Sequence, residues 1–281
     1  MDDLYDLAIV GAGQSALSAL RSGIAGEKTI VIDYQEAPGG FLREALPAHG
    51  FEEAWDLIES FDMPSEVTAC FETSAVGLLP AFEAGEPHTL IARRQQGTME
   101  IRARCILIAS GGLELTRERA QIPGTRPAGV ITPILAHQLL SLGYLPGKCV
   151  VIYGDSRYTL ATSRRLAASG VEVTHVGLYA ELVEIQGFPR LEALRFRRDG
   201  RLFDLAADTL IYSVGMMANT HWLKGSGIIT KPDGAIAVDG NYQTNIPGIF
   251  AIGTVVSPSL DHADSITMGK EVASLLVGGF L

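Results

Sequence analysis

Leu7-Ala8-Ile9-Val10-Gly11-Ala12-Gly13-Gln14-Ser15-Ala16 decides the fold of this chain. Four apolar residues run into two glycines spaced by one residue, and a small residue follows three positions later. Apolar residues in unbroken sequence read as a buried parallel strand. Gly11 permits a tight strand-to-helix turn, Gly13 leaves room for a pyrophosphate, and Ala16 lets the helix pack on the strand. The helix N-terminus then offers free N–H groups and the positive end of its dipole to phosphate. A second strand, Thr29-Ile30-Val31-Ile32, closes on Asp33, whose carboxylate is placed to accept hydrogen bonds from the ribose of an adenosine. Together these segments predict a βαβ unit that binds a dinucleotide.

The same layout returns further on as Cys149-Val150-Val151-Ile152-Tyr153 followed by Gly154-Asp155-Ser156-Arg157-Tyr158-Thr159. Here Ser156 and Thr159 stand at the second and third glycine positions. Asp155 adds negative charge beside the would-be phosphates. The next strand, Val171 to Val176, ends in Gly177 with neither an acid for a ribose nor an arginine for a 2′-phosphate. Arg157 either offsets some of that charge or is a solvated helix residue. The chain thus reads as a divergent internal repeat with one site kept and one eroded.

The remaining segments predict strands at Leu4–Val10, Cys105–Ala109, Thr209–Val214 and Ile249–Gly253. They predict helices at 15–22, 52–61, 133–142 and 264–277. Short strands are expected over 67–104, with turns at Gly77, Gly85-Glu86-Pro87 and Gln96-Gly97. The expected fold class is α/β, with two Rossmann-like three-layer domains, the second inserted in the first. The first domain is expected to span 1–123 and 237–281, the second 124–236.

With 281 residues, 47% of them hydrophobic, the chain has material for two such cores. The net charge of −10 and the lack of a basic cluster argue against a nucleic-acid partner. Pro127 to Gly147 carries no formal charge, but its prolines, His137 and Gln138 argue against a membrane span. No secretory leader pattern precedes the first strand. Cys70, Cys105 and Cys149 are far apart, with no C-x-x-C and no clustered metal ligands, so they read as core residues of a reduced, cytoplasmic protein.

Four further segments carry a family resemblance: Pro38-Gly39-Gly40, Ile106-Leu107-Ile108-Ala109-Ser110-Gly111, Ile122-Pro123-Gly124-Thr125-Arg126-Pro127-Ala128-Gly129-Val130 and Thr244-Asn245-Ile246-Pro247-Gly248-Ile249-Phe250-Ala251-Ile252-Gly253. Taken in order with the opening motif, they resemble the thioredoxin-reductase-like flavoproteins among the pyridine nucleotide-disulfide oxidoreductases. The third segment is similar to flavoproteins that accompany anaerobic glycerol-3-phosphate dehydrogenases, and to FAD-binding subunits of heteromeric proline, sarcosine and opine dehydrogenases. The resemblance implies FAD as the first nucleotide. It would place Gly11, Gly13, Gln14, Ser15 and Ala16 at the pyrophosphate, Asp33 at the adenosine ribose, and Gly39, Gly40, Ser110 and Gly111 towards the flavin side. Gly253 and Thr254 would meet the ribityl and pyrophosphate region, where many relatives carry Asp in place of Thr254. A last helix opening near Asp264-Ser265-Ile266 would turn its N-terminus, and so Ser265 and Ile266, to the flavin, with Asp264 or Ser265 also serving as cap; His262 reads as a loop residue.

Three functional classes follow. The leading one is an FAD-dependent oxidoreductase subunit passing electrons between flavin and a partner subunit or small-molecule substrate, in a homo-oligomer or a heteromeric dehydrogenase. The second is a stand-alone NAD(P)H-dependent flavin reductase, and the third a non-catalytic scaffold. No side chain is singled out as catalytic.

Overall fold

The computed structural model describes residues 4–45, 51–83 and 85–279; the ends of the expected first domain and residues 46–50 and 84 lie outside this range. In chain order, the first elements are β1 (Leu4–Val10), α1 (Gln14–Arg21), β2 (Thr29–Ile32), α2 (Phe41–Ala45), α3 (Glu52–Glu59), β3 (Val67–Cys70), β4 (Ser74–Leu79), β5 (His88–Arg94), β6 (Gly97–Ile108) and β7 (Gly112–Glu114). Next come β8 (Val130–Ile131), α4 (Pro133–Ser141), β9 (Cys149–Tyr153), α5 (Arg157–Ala168), β10 (Glu172–Val176), β11 (Glu181–Gln186), β12 (Ala193–Arg198), β13 (Arg201–Ala206) and β14 (Thr209–Tyr212). The chain closes with β15 (Met216–Ala218), β16 (Ile249–Ala251) and α6 (His262–Gly279).

The chain divides into two compact units. The first comprises Met1–Arg43, Glu53–Leu113 and Met217–Leu281, the second Glu44–Glu52 and Glu114–Met216. The crossings between these units fall at Leu113/Glu114 and Met216/Met217. Ala218, Trp222, Leu223, Ala235 and Ile236 belong to the first unit's core.

That unit is built on a seven-stranded sheet ordered β3-β2-β1-β6-β5-β4, with β16 also on β6. β1 pairs in parallel with β2 on one side and β6 on the other. Sequence reading splits 97–109 into a short strand and a separate buried one, whereas β6 is continuous. Its first half pairs antiparallel with β5 and its second half parallel with β1 and β16. Gly77 is not a turn but a strand residue at a register shift between β4 and β5, where glycine accommodates a bulge.

Alternation along the central strands explains both faces of this sheet. Leu7, Ile9, Leu107 and Phe250 pack with Leu17, Leu20, Val272 and Leu276 of α1 and α6. Ala8, Val10, Ile106 and Ile108 point the other way, to Trp222, Ile236 and Val255. A sheet covered on both faces needs apolar residues at consecutive positions, and the opening run supplies them.

The second unit holds a four-stranded parallel sheet, β10-β9-β14-β8. On one face Val150, Ile152 and Ile211 pack with Ala136 and Leu166 of α4 and α5. On the other, Val151, Tyr153, Leu210 and Tyr212 pack with Leu194 and Phe196 of a three-stranded antiparallel sheet, β11-β12-β13. Sequence reading passes over this small sheet. Among the described residues no helix is long and apolar enough to cross a membrane, and Cys70, Cys105 and Cys149 are not joined in disulfides.

Candidate functional site

In an open parallel sheet, ligands bind beyond the carboxyl ends of the strands where the strand order reverses. Here that point lies at β1, whose neighbours are β2 and β6. Gly11 leaves β1 at φ 101°, and its N–H donates to Ile32 O at 2.8 Å. A Cβ on Gly11 would sit 2.3 Å from Ala109 O, so the turn demands glycine for both conformation and space. Gly13 differs. Its φ of −81° suits any residue, and a Cβ there would meet no protein atom within 4 Å. The space in front of Gly13 is thus kept open by the absence of a side chain, at the N-cap of α1.

The other segments expected at this site close around it. Gly39 donates its N–H to Ala12 O at 2.8 Å, and a Cβ on Gly40 would lie 3.0 Å from Gly13 Cα. A Cβ on Gly253 would lie 2.3 Å from Ser15 Oγ, and one on Gly111 would lie 3.7 Å from Thr254 Oγ1. Ala16 is fully buried in the α1–sheet interface. Ser110 Oγ donates to Asn219 O at 3.0 Å, and the Asn219 amide nitrogen donates to Ser110 O at 3.2 Å.

Asp33 is buried. Its Oδ2 accepts from Ala12 N–H at 2.6 Å and its Oδ1 from Gln35 N–H at 2.8 Å. Burial raises its pKa, and these two bonds pull it back. The carboxylate therefore fastens the glycine loop to the end of β2, and each of its oxygens can accept a further hydrogen bond.

The last helix begins at His262, earlier than expected. Asp261 O takes the Ser265 N–H at 3.0 Å. This makes Asp261, rather than Asp264 or Ser265, the capping residue, and Ser265 N–H is spent inside the helix. Ile266 O accepts from Ser18 Oγ at 2.6 Å, locking α6 to α1. A Cβ on Gly269 would lie 2.3 Å from Ser15 O, so this glycine sets the close approach of the two helices. His262 is not a loop residue: its Nδ1 is 2.8 Å from Gln14 Oε1. Sequence reading missed Asn219, Gly269 and this pair. A glycine inside a helical run was the available signal for Gly269.

The second unit repeats the scaffold closely. Gly154 takes φ 129°, its N–H donates to Val176 O at 3.0 Å, and a Cβ on it would lie 2.1 Å from Ser213 O. The loop chemistry is different. Ser156 Oγ accepts the Thr159 N–H at 3.2 Å, and Thr159 Oγ1 donates to Ser156 O at 2.7 Å. Asp155 Oδ2 accepts the Leu178 N–H at 2.7 Å. The bridge between loop and strand end is thus reversed. In the first unit the strand end supplies the carboxylate and the loop supplies the N–H. In the second the loop carries the carboxylate, where a phosphate would need positive potential. Among the described residues, no group of three or more His, Cys, Asp or Glu side chains forms a candidate metal site.

Two nucleotide-type units, one with an open and one with a self-bonded loop, define a two-dinucleotide-domain class. Residues 5–268 match the model of the pyridine nucleotide-disulphide oxidoreductases, and the chain belongs to that family. It is 26% identical to mitochondrial dihydrolipoyl dehydrogenase of Caenorhabditis elegans, over 92% of this chain and 64% of the relative. It is 24% identical to thioredoxin reductase of Mycoplasmopsis pulmonis, over 90% of this chain and 89% of the relative. In structure it is similar to L-proline dehydrogenase from P. horikoshii, with a TM-score of 0.75 at 19% identity, covering 99% of this chain and 56% of that one. The chain thus spans less than two thirds of the length of the first and third of these proteins.

Proposed function

We propose that this chain binds FAD in its first unit and works as an oxidoreductase that exchanges electrons with a partner subunit or a small-molecule substrate, without NAD(P)H. The contrast between the two glycine loops carries this reading. Two buried polar atoms of the first unit fit the cofactor. Gln14 Nε2, a donor, and Asn219 Oδ1, an acceptor, make no hydrogen bond within the protein. Buried polar atoms without partners are costly, and a dinucleotide offers phosphates to the former and hydroxyl or amide donors to the latter. The open space at Gly13 fits a pyrophosphate equally well.

FAD when bound supplies the redox chemistry. The chain's own part is to bind and orient. The α1 N-terminus and the N–H of Gln14's side chain face negative charge, Asp33 holds the loop and accepts from the ribose, and Ser110, Gly111, Gly253 and Thr254 shape the remaining wall. Thr254 hydrogen-bonds without adding charge. In the second unit Ser156, Thr159 and Asp155 satisfy the loop internally, so this unit serves as a packed shell. Assembly with other copies or with dehydrogenase subunits, in the cytoplasm, is part of the same proposal; the similarity to proline dehydrogenase supports it.

The test is an absorption spectrum of the freshly purified protein followed by anaerobic NADH and NADPH. Bands near roughly 370 and 450 nm that stay unbleached are the expected result. Bleaching by either nucleotide overturns the reading of the second unit, and protein that cannot be loaded with FAD overturns that of the first.

A further inference from the structure

The Gln14–His262 pair has a consequence for the cofactor site. Gln14 is the first residue of α1, beside Gly13, and is only 9% exposed. A carboxamide has one end that accepts and one that donates, and the two are interchanged by a half-turn of the group. Which end faces the loop is therefore set by whatever holds the other end. With Oε1 held by His262 Nδ1 at 2.8 Å, the end left over is Nε2, buried and without a protein partner. A carboxamide oxygen only accepts, so Nδ1 must carry the proton in this arrangement. In the opposite arrangement Gln14 would turn an oxygen towards the anion site, where it would repel phosphate oxygens.

The position of His262 is fixed rather than incidental. It opens α6, and that helix is tied to α1 one turn further on by the Ser18 Oγ to Ile266 O bond at 2.6 Å. The close approach at Gly269 holds the two helices together below this bond. The imidazole is thereby delivered to Gln14 from an element 248 residues away in sequence.

We infer that His262 is a positioning residue: by donating from Nδ1 to Gln14 Oε1 it turns the Gln14 amide N–H towards the pyrophosphate of the bound dinucleotide. This rests on the FAD reading above. His262 acts through Gln14, so its contribution vanishes when Gln14 is gone. Asparagine places a donor nitrogen where the imidazole carries Nδ1, and so substitutes for it.

The experiment is fluorescence titration of FAD into full-length apoprotein of the wild type, Gln14→Ala, His262→Ala, His262→Asn and the Gln14→Ala/His262→Ala double variant. A hydrogen bond to a charged acceptor corresponds to roughly 10-fold or more in affinity. His262→Ala is expected to weaken FAD about 10-fold, and His262→Asn to stay within about 3-fold of wild type. The double variant should bind no more weakly than Gln14→Ala alone. Unchanged affinity in His262→Ala, additive losses in the double variant, or failure of the asparagine to rescue would each overturn the inference. Should His262→Ala fail to fold, the wild type still decides. The ¹⁵N resonance of the Gln14 side-chain amide, identified by its loss in Gln14→Ala, must move on addition of FAD, and an unmoved resonance overturns the inference. Wild-type apoprotein that takes up no FAD overturns the cofactor reading itself, an outcome distinct from a wild type that binds FAD while the variant series stays flat.

Discussion

Gly11 and Gly13 stand two residues apart and are needed for different reasons. Gly11 has φ 101° and no room for a methyl group against Ala109 O. Gly11→Ala should therefore cost about 2–4 kcal/mol of stability, read by urea unfolding of the apoprotein. Gly13 has an ordinary backbone and open space ahead of it. Gly13→Val should leave apoprotein stability within about 1 kcal/mol of wild type and lower FAD affinity by about 100-fold or more. Equal destabilisation by both substitutions would show that Gly13 serves the fold and not the ligand. The need for glycine at 11 for the turn and at 13 for the ligand is legible in the sequence; how close Ala109 O stands to position 11, and how open the space at position 13 is, depend on what faces each Cβ across the crevice.

At the scale of elements, the loop-to-strand bridges differ in burial. Asp33→Ala strands the Ala12 N–H in the interior, which costs about 1–3 kcal/mol. Asp155→Ala releases the Leu178 N–H at an exposed position, and its cost should stay below about 1 kcal/mol. Urea unfolding of the two variants side by side measures the difference. The α4–α5 pair adds a pH dependence. His137 is fully buried; its Nε2 lies 3.1 Å from Thr162 Oγ1 and its Nδ1 3.0 Å from the Arg165 guanidinium. Thr162 Oγ1 already donates to Tyr158 O, and arginine can only donate, so the ring is neutral with its proton on Nε2. Burial first, then Arg165, lowers its pKa from 6.5 to about 4. The folded pKa lies below the unfolded one, so this contribution is complete above pH 6.5 and is lost as pH falls towards 4. The loss should reach about 2 kcal/mol at pH 5, and His137→Gln should flatten it.

Glu114 slopes the opposite way. Desolvation raises its pKa from 4.5 to about 7, against the bonds it accepts from Thr132 and the Ile134 N–H at the start of α4. Its folded pKa lies above the unfolded one, so stability is lost as pH rises from 4.5 through 7. Glu114→Gln should raise stability at pH 8 and leave it unchanged at pH 4, as read by thermal unfolding.

For the whole molecule, the two units make a joint prediction. A ligand that binds the folded state stabilises it by mass action, by about 4 kcal/mol at a thousand times its Kd. FAD added to apoprotein should raise Tm accordingly, and millimolar NADH or NADPH should leave it unmoved. A shift with either pyridine nucleotide would mean that the Asp155–Ser156 loop opens to admit one, and the second unit would then have to be counted as a working site.

The α/β class, the internal repeat, the exits of β1 and β9 and the asymmetry between the two loops can be read from residue order alone. These depend on local rules: apolar runs for buried strands, glycine where φ is positive, and residue type at fixed offsets from a turn. Features that depend on distant segments meeting emerge only in the folded chain. Residues 97–104 and 105–108 form one strand because both halves find partners in a single sheet. Trp222 and Ile236 join a core built mostly from the N-terminal strands. Asn219 reaches Ser110, Gly269 admits Ser15, and His262 reaches Gln14 across 248 residues. No local pattern encodes such pairings, because each is fixed by the packing of α6 and the 217–236 segment on a sheet built mostly from the other end of the chain.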